Sequence, residues 1–205
     1  MFELKKKLMI YIFFLLKKGL NDLILINNDI ILYVKKEELL FMLQMLKNHT
    51  LFQYKILSDI SVIDYPDNCW RFEINYHLLS IRYNSRIRLK IYTDELTSIE
   101  SCTEIYPAAS WFEREIWDMF GIFFTGNKDL RRLYTDYGFE GYPLRKEYPI
   151  SGYFELRYDE VQKKIIYEPL ELAQEFRNYD FKSPWVPLKK NIISEPEQEL
   201  PSSKK

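Results

Sequence analysis

From Trp70 to Leu78 apolar and polar residues alternate without a fault: Trp70, Phe72, Ile74, Tyr76 and Leu78 on one side, Arg71, Glu73, Asn75 and His77 on the other. A period of two is the mark of a β-strand with one buried and one wet face. Leu79-Ser80-Ile81-Arg82-Tyr83 alternates in the opposite phase, which predicts a bulge near Leu78-Leu79. After Asn84-Ser85 the run Arg86–Ile91 alternates again, so the two segments read as a hairpin. That hairpin commits the middle of the chain to a sheet. Leu23–Ile26 and Ile30–Val34 are β-rich runs around the turn-forming Asn27-Asn28-Asp29, and Ile60–Ile63 supplies a further strand. Between them Lys36 to Lys47 reads as a helix. Leu39, Leu40, Leu43 and Leu46 fall on one stripe, Glu37-Glu38 stand in its first turn and Lys47 in its last. With a helix at the N-terminus the order is α-β-β-α-β-β-β. The expected fold class is α+β: a two-layer domain with a mixed sheet, helices on one face, and the other face polar or occupied by a partner.

At the N-terminus Lys5–Lys7 precede the apolar run Leu8–Leu16, and Lys17-Lys18 close it. Spanning a bilayer takes about 20 apolar residues in a helix, more than this run offers. A secretory signal has the same basic-then-apolar order, but two lysines follow here instead of a small-residue cleavage site. A helix packed on the sheet is the expectation. Further along, punctuation divides the chain unevenly. Only Pro66 and Pro107 of nine prolines lie before residue 140, and five of six glycines lie between Gly121 and Gly152. Pro107 suits the first turn of a helix whose body is Ala108–Phe120, with Gly121 where a C-terminal glycine belongs. Tyr153–Arg157 and Lys164–Tyr167 read as a short hairpin, and four prolines follow Ser183. The expected division is an α+β domain over 1–120, an extended region and arm over 121–185, and a mobile or wrapped tail over 186–205.

Composition narrows the function. Lys plus Arg (29) balance Asp plus Glu (30), which disfavours a protein that lives by neutralising nucleic-acid phosphates. Cys69 and Cys102 are too few for an iron–sulfur cluster or a disulfide scaffold, and their spacing matches no common metal site. His49 and His77, the only histidines, fall past a helix end and on the polar side of a strand, as surface residues do. The densest charge is Glu113-Arg114-Glu115-Ile116-Trp117-Asp118. Arg114 and Asp118, four apart on a helix, are placed to pair. Glu113 and Asp118 diverge by about 140° at ~100° per residue, so they do not converge on one ion. An ion-pair network is therefore the stronger reading, and a free-standing metal-dependent hydrolase built on Glu113, Glu115 and Asp118 the rival. A second cluster runs from Lys128 to Glu147, where five basic residues meet four acids among aromatic rings. Arginine and tyrosine interleaved in this way suit protein–protein contact.

The same two clusters carry a resemblance. Glu113-Arg114-Glu115-Ile116-Trp117-Asp118-Met119-Phe120-Gly121-Ile122 resembles the signature of the 30-kDa subunit of respiratory complex I, the NADH:ubiquinone oxidoreductase. Asp129-Leu130-Arg131-Arg132, Thr135-Asp136-Tyr137-Gly138-Phe139-Glu140-Gly141 and Pro143-Leu144-Arg145-Lys146 resemble its second signature. Ser151-Gly152-Tyr153, Arg157-Tyr158-Asp159, Glu168-Pro169 and Gln174-Glu175-Phe176-Arg177 continue the likeness to Ser183-Pro184-Trp185. Two stretches depart from the family pattern, at three residues. Gly126-Asn127-Lys128-Asp129 stands where the family has Gly-His-Pro-Asp, and Gly141-Tyr142-Pro143 where it has Gly-His-Pro. The resemblance implies a non-catalytic subunit of the hydrophilic arm, docked on the 49-kDa subunit, on the matrix side of the mitochondrial inner membrane. It implies no flavin, cluster or quinone ligand in this chain; those cofactors belong to other subunits, and the whole complex couples NADH oxidation by ubiquinone to proton translocation. The interface residues it implies are Glu113, Arg114, Glu115, Trp117, Asp118, Phe120 and Gly121 of the first signature, and Asp129, Arg131, Arg132, Asp136, Tyr137, Gly138, Phe139, Glu140, Gly141, Pro143, Arg145 and Lys146 of the second. The equivalent subunit of a bacterial or chloroplast-type complex, or of a membrane-bound hydrogenase, is the alternative. A composition rich in Ile, Lys and Tyr with only three Ala fits an A/T-rich organelle genome.

Overall fold

The computed structural model describes residues 2–17, 19–26, 29–177 and 179. Helix α1 (Phe2–Leu16) leads into strands β1 (Leu20–Ile26) and β2 (Asp29–Val34). One 3-10 turn at Lys36–Glu38 opens helix α2 (Leu39–Asn48), and strands β3 (Ile56–Asp64), β4 (Phe72–Ser80) and β5 (Ser85–Thr93) follow. These build a five-stranded sheet in the order β1-β2-β5-β4-β3. Only β2 and β5 run parallel; the other neighbours are antiparallel, so the sheet is mixed as expected. The predicted α-β-β-α-β-β-β order holds.

The helices follow their apolar stripes. In α2 the core-facing residues are Leu39, Met42, Leu43 and Leu46, all fully buried. Leu40 stands beside that stripe, partly buried. Ile12 and Leu16 of α1 join the same core, with Leu8 packed against it. Burying each such side chain contributes about 1.5–3 kcal/mol, which is what fixes these helices on the sheet. Among the described residues no helix is long and apolar enough to cross a membrane.

Two strand expectations are corrected. The polar side of β4 is largely dry: the strand lies between β5 and β3, Glu73 and Asn75 are as buried as the core, and His77 is half-buried. Glu73 accepts hydrogen bonds from Lys90 Nζ (2.6 Å), Tyr92 Oη (3.0 Å) and Asn75 Nδ2 (3.1 Å), so neighbours replace water there. Burial pushes the Glu73 carboxyl up, and those three donors bring it below its ordinary range. The bulge, second, is on the partner strand. β4 pairs with β5 without a break from Phe72 to Ser80, and the register shifts between Leu57 and Asp59 of β3, leaving Ser58 extra opposite His77-Leu78. The phase change in the sequence reflects the chain leaving the sheet after Ser80, with Ile81 exposed in the turn to Ser85.

Past β5, the two-residue strand β6 (Ile99–Glu100) precedes helix α3 (Ala109–Phe120), and β7 (Phe124–Thr125) returns to pair parallel with β6. Ile99, Ala109, Ile116, Ile122 and Phe124 all belong to the one core cluster, so the chain on either side of residue 120 packs as one body. The hairpin of β8 (Phe154–Asp159) and β9 (Lys164–Pro169) forms close to its expected bounds. The prolines beyond Ser183 and the 186–205 tail lie outside the described residues.

Candidate functional site

Helix α3 organises the signature region. Gly121 ends it in the left-handed region (φ 78°), with its N–H bonded to the Trp117 carbonyl. Glu113, Arg114 and Asp118 are all buried on it, yet each serves a different part of the chain.

Glu113 holds the segment that leads into the helix. Its carboxylate accepts from Ser101 Oγ (2.7 Å), Cys102 N (2.9 Å), Cys102 Sγ (3.4 Å) and Asn127 Nδ2 (2.8 Å). Four donors around one carboxylate satisfy a charge that burial alone would make costly. Burial and the neighbouring Glu113 charge push the Cys102 thiol far above its ordinary range, so it stays protonated.

Asp118 does not pair with Arg114, as the i,i+4 spacing suggested. Its Oδ2 sits in a nest of three consecutive backbone N–H groups, from Leu133 (3.0 Å), Tyr134 (2.6 Å) and Thr135 (3.0 Å). Its Oδ1 accepts from Arg132 Nη1 (3.1 Å) and the Thr135 hydroxyl. Burial pushes this carboxyl up, but the Thr135 hydroxyl and the backbone donors outweigh it and leave the pKa at about 2. Arg114 turns the other way. Its guanidinium stacks 4.9 Å from the Trp111 ring centre, points at the Arg131 and Arg132 carbonyls, and lies 4.0 Å from Asp129. A loop that offers three N–H groups outcompetes one guanidinium on the same helix.

Two arginines of the second signature, Arg132 and Arg145, face in as well. Arg132 Nη1 also donates to the Gly141 carbonyl (3.2 Å), with its guanidinium over Phe139 and Tyr142. Arg145 Nε donates to the Phe120 carbonyl (2.7 Å), and its guanidinium lies 4.6 Å from the Tyr142 ring centre. Tyr142 thus stands between two guanidiniums, packs edge-on to Trp117 (6.0 Å) and covers Gly121. It and Asn127, two of the three residues that depart from the family pattern, are each tied into the region, while the third, Lys128, is exposed.

A further cluster was not legible in the sequence. Arg71 grips Asp64 with two bonds (2.7 and 2.9 Å) and also meets Glu95 and Glu147, while Asp64 accepts the Lys146 backbone N–H (2.8 Å). Arg145 joins through Glu95 (3.2 Å). The Arg71 guanidinium holds the Asp64 and Glu147 carboxyls below their ordinary range. No spacing rule links Asp64 to Lys146 across 82 positions.

The other signature residues divide by exposure. Glu115 is half-buried, its carboxyl pushed up by burial and then by Asp59. Phe120 packs on Phe72 (6.2 Å). Gly141 (φ 106°) lies against Tyr148, where a Cβ would come within 2.8 Å. Pro143 is half-buried, whereas Gly138, Glu140 and the Lys146 side chain are exposed. Asp136 accepts the Tyr167 hydroxyl (2.9 Å) and so ties the β8–β9 hairpin to the loop. Arg131 is exposed and among the described residues pairs with Asp129; Trp111, Phe123, Tyr134, Tyr137 and Leu144 also face outward. Among the described residues no group of three or more His, Cys, Asp or Glu is placed to hold a metal ion. What the arrangement builds is a rigid platform: charges satisfied within, rings displayed without.

Residues 32–154, which contain helix α3 and the loop that holds Asp118, match the family model described as "Respiratory-chain NADH dehydrogenase, 30 Kd subunit". The chain belongs to that family. Among its relatives, NADH-ubiquinone oxidoreductase subunit 9 of Reclinomonas americana is 50% identical over 179 residues, 87% of this chain and 86% of the relative. Subunit 9 of Prototheca wickerhamii is 52% identical over 167 residues, 82% and 87% of the two chains. An NADH-quinone oxidoreductase subunit of Methylobacterium radiotolerans is 50% identical over 157 residues, 77% and 73%. The fold of this 30-kDa-family chain also resembles one in the membrane-bound sulfane sulfur reductase, an archaeal respiratory membrane complex. The TM-score there is 0.62 at 20% identity, covering 71% of this chain and 86% of the other.

Proposed function

We propose that this chain is a structural subunit of the hydrophilic arm of mitochondrial complex I. It carries no catalytic residue or cofactor of its own, docks on the 49-kDa subunit on the matrix side of the inner membrane, and is encoded in the organelle. The family and the subunit 9 relatives support the assembly. The observation that carries the structural role is the fate of the signature charges. Glu113, Asp118, Arg132 and Arg145 spend their hydrogen-bonding capacity within the chain. A catalytic carboxylate needs a free face and a pKa near the working pH; Asp118 has neither. The residues left outward, Trp111, Tyr134, Tyr137 and Arg131, are of the types that dominate protein–protein hot spots.

Arg131→Ala tests this reading. Its side chain is exposed and, among the described residues, its ion pair is with the exposed Asp129, so folding is spared and assembly of the arm falls. Native-gel separation of mitochondrial membranes, with mass spectrometry for this chain, measures the assembled fraction. Normal assembly with selectively lost quinone reduction would refute the structural role.

A further inference from the structure

In the β8–β9 hairpin Phe154 lies opposite Pro169, Leu156 opposite Tyr167 and Tyr158 opposite Ile165. Residues at alternate positions share a face. One face of the ribbon is therefore wholly apolar or aromatic, and the other carries Glu155, Arg157, Asp159, Lys164 and Glu168 around Ile166. The five large side chains of the apolar face are 57–67% exposed. On the charged face Glu155, Asp159, Ile166 and Glu168 are half-buried, and Arg157 closes a two-bond pair with Glu168 (2.9 and 2.6 Å). The apolar side is the wetter one, the reverse of a ribbon at home in water.

A two-stranded ribbon is marginal by itself and gains stability when its apolar face is covered. Aromatic side chains present on the order of 150–250 Å² each, so the six residues expose roughly 600 Å². That is at the upper limit of about 300–600 Å² for the largest apolar patch on a typical monomer. It is also about three-quarters of the ~800 Å² that a stable interface takes from one partner.

We infer that this face is a docking surface for a neighbouring subunit of the complex, one that presents an apolar patch with a neutral or basic rim; the inference rests on the subunit reading above. The net charge of the ribbon that carries this face selects the occupant. Across residues 153–172 five acids outnumber Arg157, Lys163 and Lys164. An anionic bilayer takes ribbons and helices with a basic rim, and a second copy of the chain would set two acidic ribbons together. The face is also continuous with the signature loop. Tyr167, on the apolar side, donates to Asp136, and Tyr137 beside it is fully exposed.

The test uses the full chain in its assembled complex, with a benzophenone side chain at position 156. Irradiation is expected to join that position to another subunit. Leu156→Glu is expected to lower the incorporated fraction tenfold or more on native gels, with the melting temperature of the free chain unchanged. Lys164→Ala, on the charged face, is expected to stay within twofold of wild type. Crosslinking confined to residues 180–205 of the same chain, to a second copy or to lipid overturns the inference. So does incorporation of Leu156→Glu within twofold of wild type. If Leu156→Glu lowers the free chain's melting temperature, the crosslink alone decides. A chain absent from the complex overturns the subunit reading, and this inference with it; a chain present but uncrosslinked to other subunits overturns this inference alone.

Discussion

Replacing Asp118 with Asn keeps the size of the side chain and removes its charge. The carboxylate accepts three backbone N–H groups on Oδ2, and Arg132 and the Thr135 hydroxyl on Oδ1. An Asn amide offers one acceptor oxygen; its NH2 would face either the three N–H groups or Arg132 and Thr135. Removing one partner of a buried charged pair costs about 3–5 kcal/mol, and the exposed part of Arg132 places this case at about 3 kcal/mol. The acidity of Asp118 gives a second, independent figure. A carboxyl that falls from 3.8 to about 2 on folding stabilises the ionised native state by about 2–3 kcal/mol, at about 1.4 kcal/mol per tenfold change in acidity. The folded value is the lower one, so this contribution is complete above about pH 5 and fades as the pH falls through 4 toward 2. Asp64, Glu73 and Glu147 titrate in the same direction, so wild type alone would not isolate the effect. The assay is urea unfolding of wild type and Asp118→Asn at pH 7 and near pH 3, since the background slope cancels in the difference. The expected gap is about 3 kcal/mol at pH 7 and narrows by 1 kcal/mol or more at the lower pH, on the order set by the acidity shift. A gap independent of pH, or one below about 1 kcal/mol at pH 7, the size of a single ordinary hydrogen bond, would refute the nest argument.

Two other substitutions or treatments probe the same platform. Gly121→Ala places a Cβ 2.5 Å from the Tyr142 ring at a positive φ, and thermal unfolding is expected to show a loss of 2 kcal/mol or more, above the ~1 kcal/mol of the backbone term alone. Adding Tyr142→Ala is expected to recover the part due to the clash, giving a non-additive pair; strict additivity would count against the contact. Cys102 is buried with its thiol held protonated beside Glu113, whereas Cys69 is exposed. Alkylation of the native chain at pH 8, read by mass spectrometry, is expected to modify Cys69 and to spare Cys102 until the protein unfolds.

Local pattern carried a good deal of this protein. Alternation over Trp70–Leu78 and Arg86–Ile91, the stripe of Leu39, Leu43 and Leu46, and Pro107 and Gly121 at the ends of α3 set elements that form within a few residues of where they were expected. Each is a short-range signal: side-chain period, capping, or backbone freedom at one glycine. The order of the two signatures in the sequence was equally sufficient to mark the family.

Tertiary structure decided what those residues do. Position in the sheet, which no period reveals, made β4 central and buried Glu73 and Asn75. The spacing of Arg114 and Asp118 permitted a pair, but a loop some fifteen residues further on supplied Asp118 with three N–H donors and left Arg114 to stack on Trp111. Asp64, Arg71, Glu95 and Glu147 came together from four separate segments. An ion pair is set by proximity in space, and the chain brings residues near one another only after its apolar faces have chosen their partners. That is why the elements could be read along the sequence and the contacts between them could not.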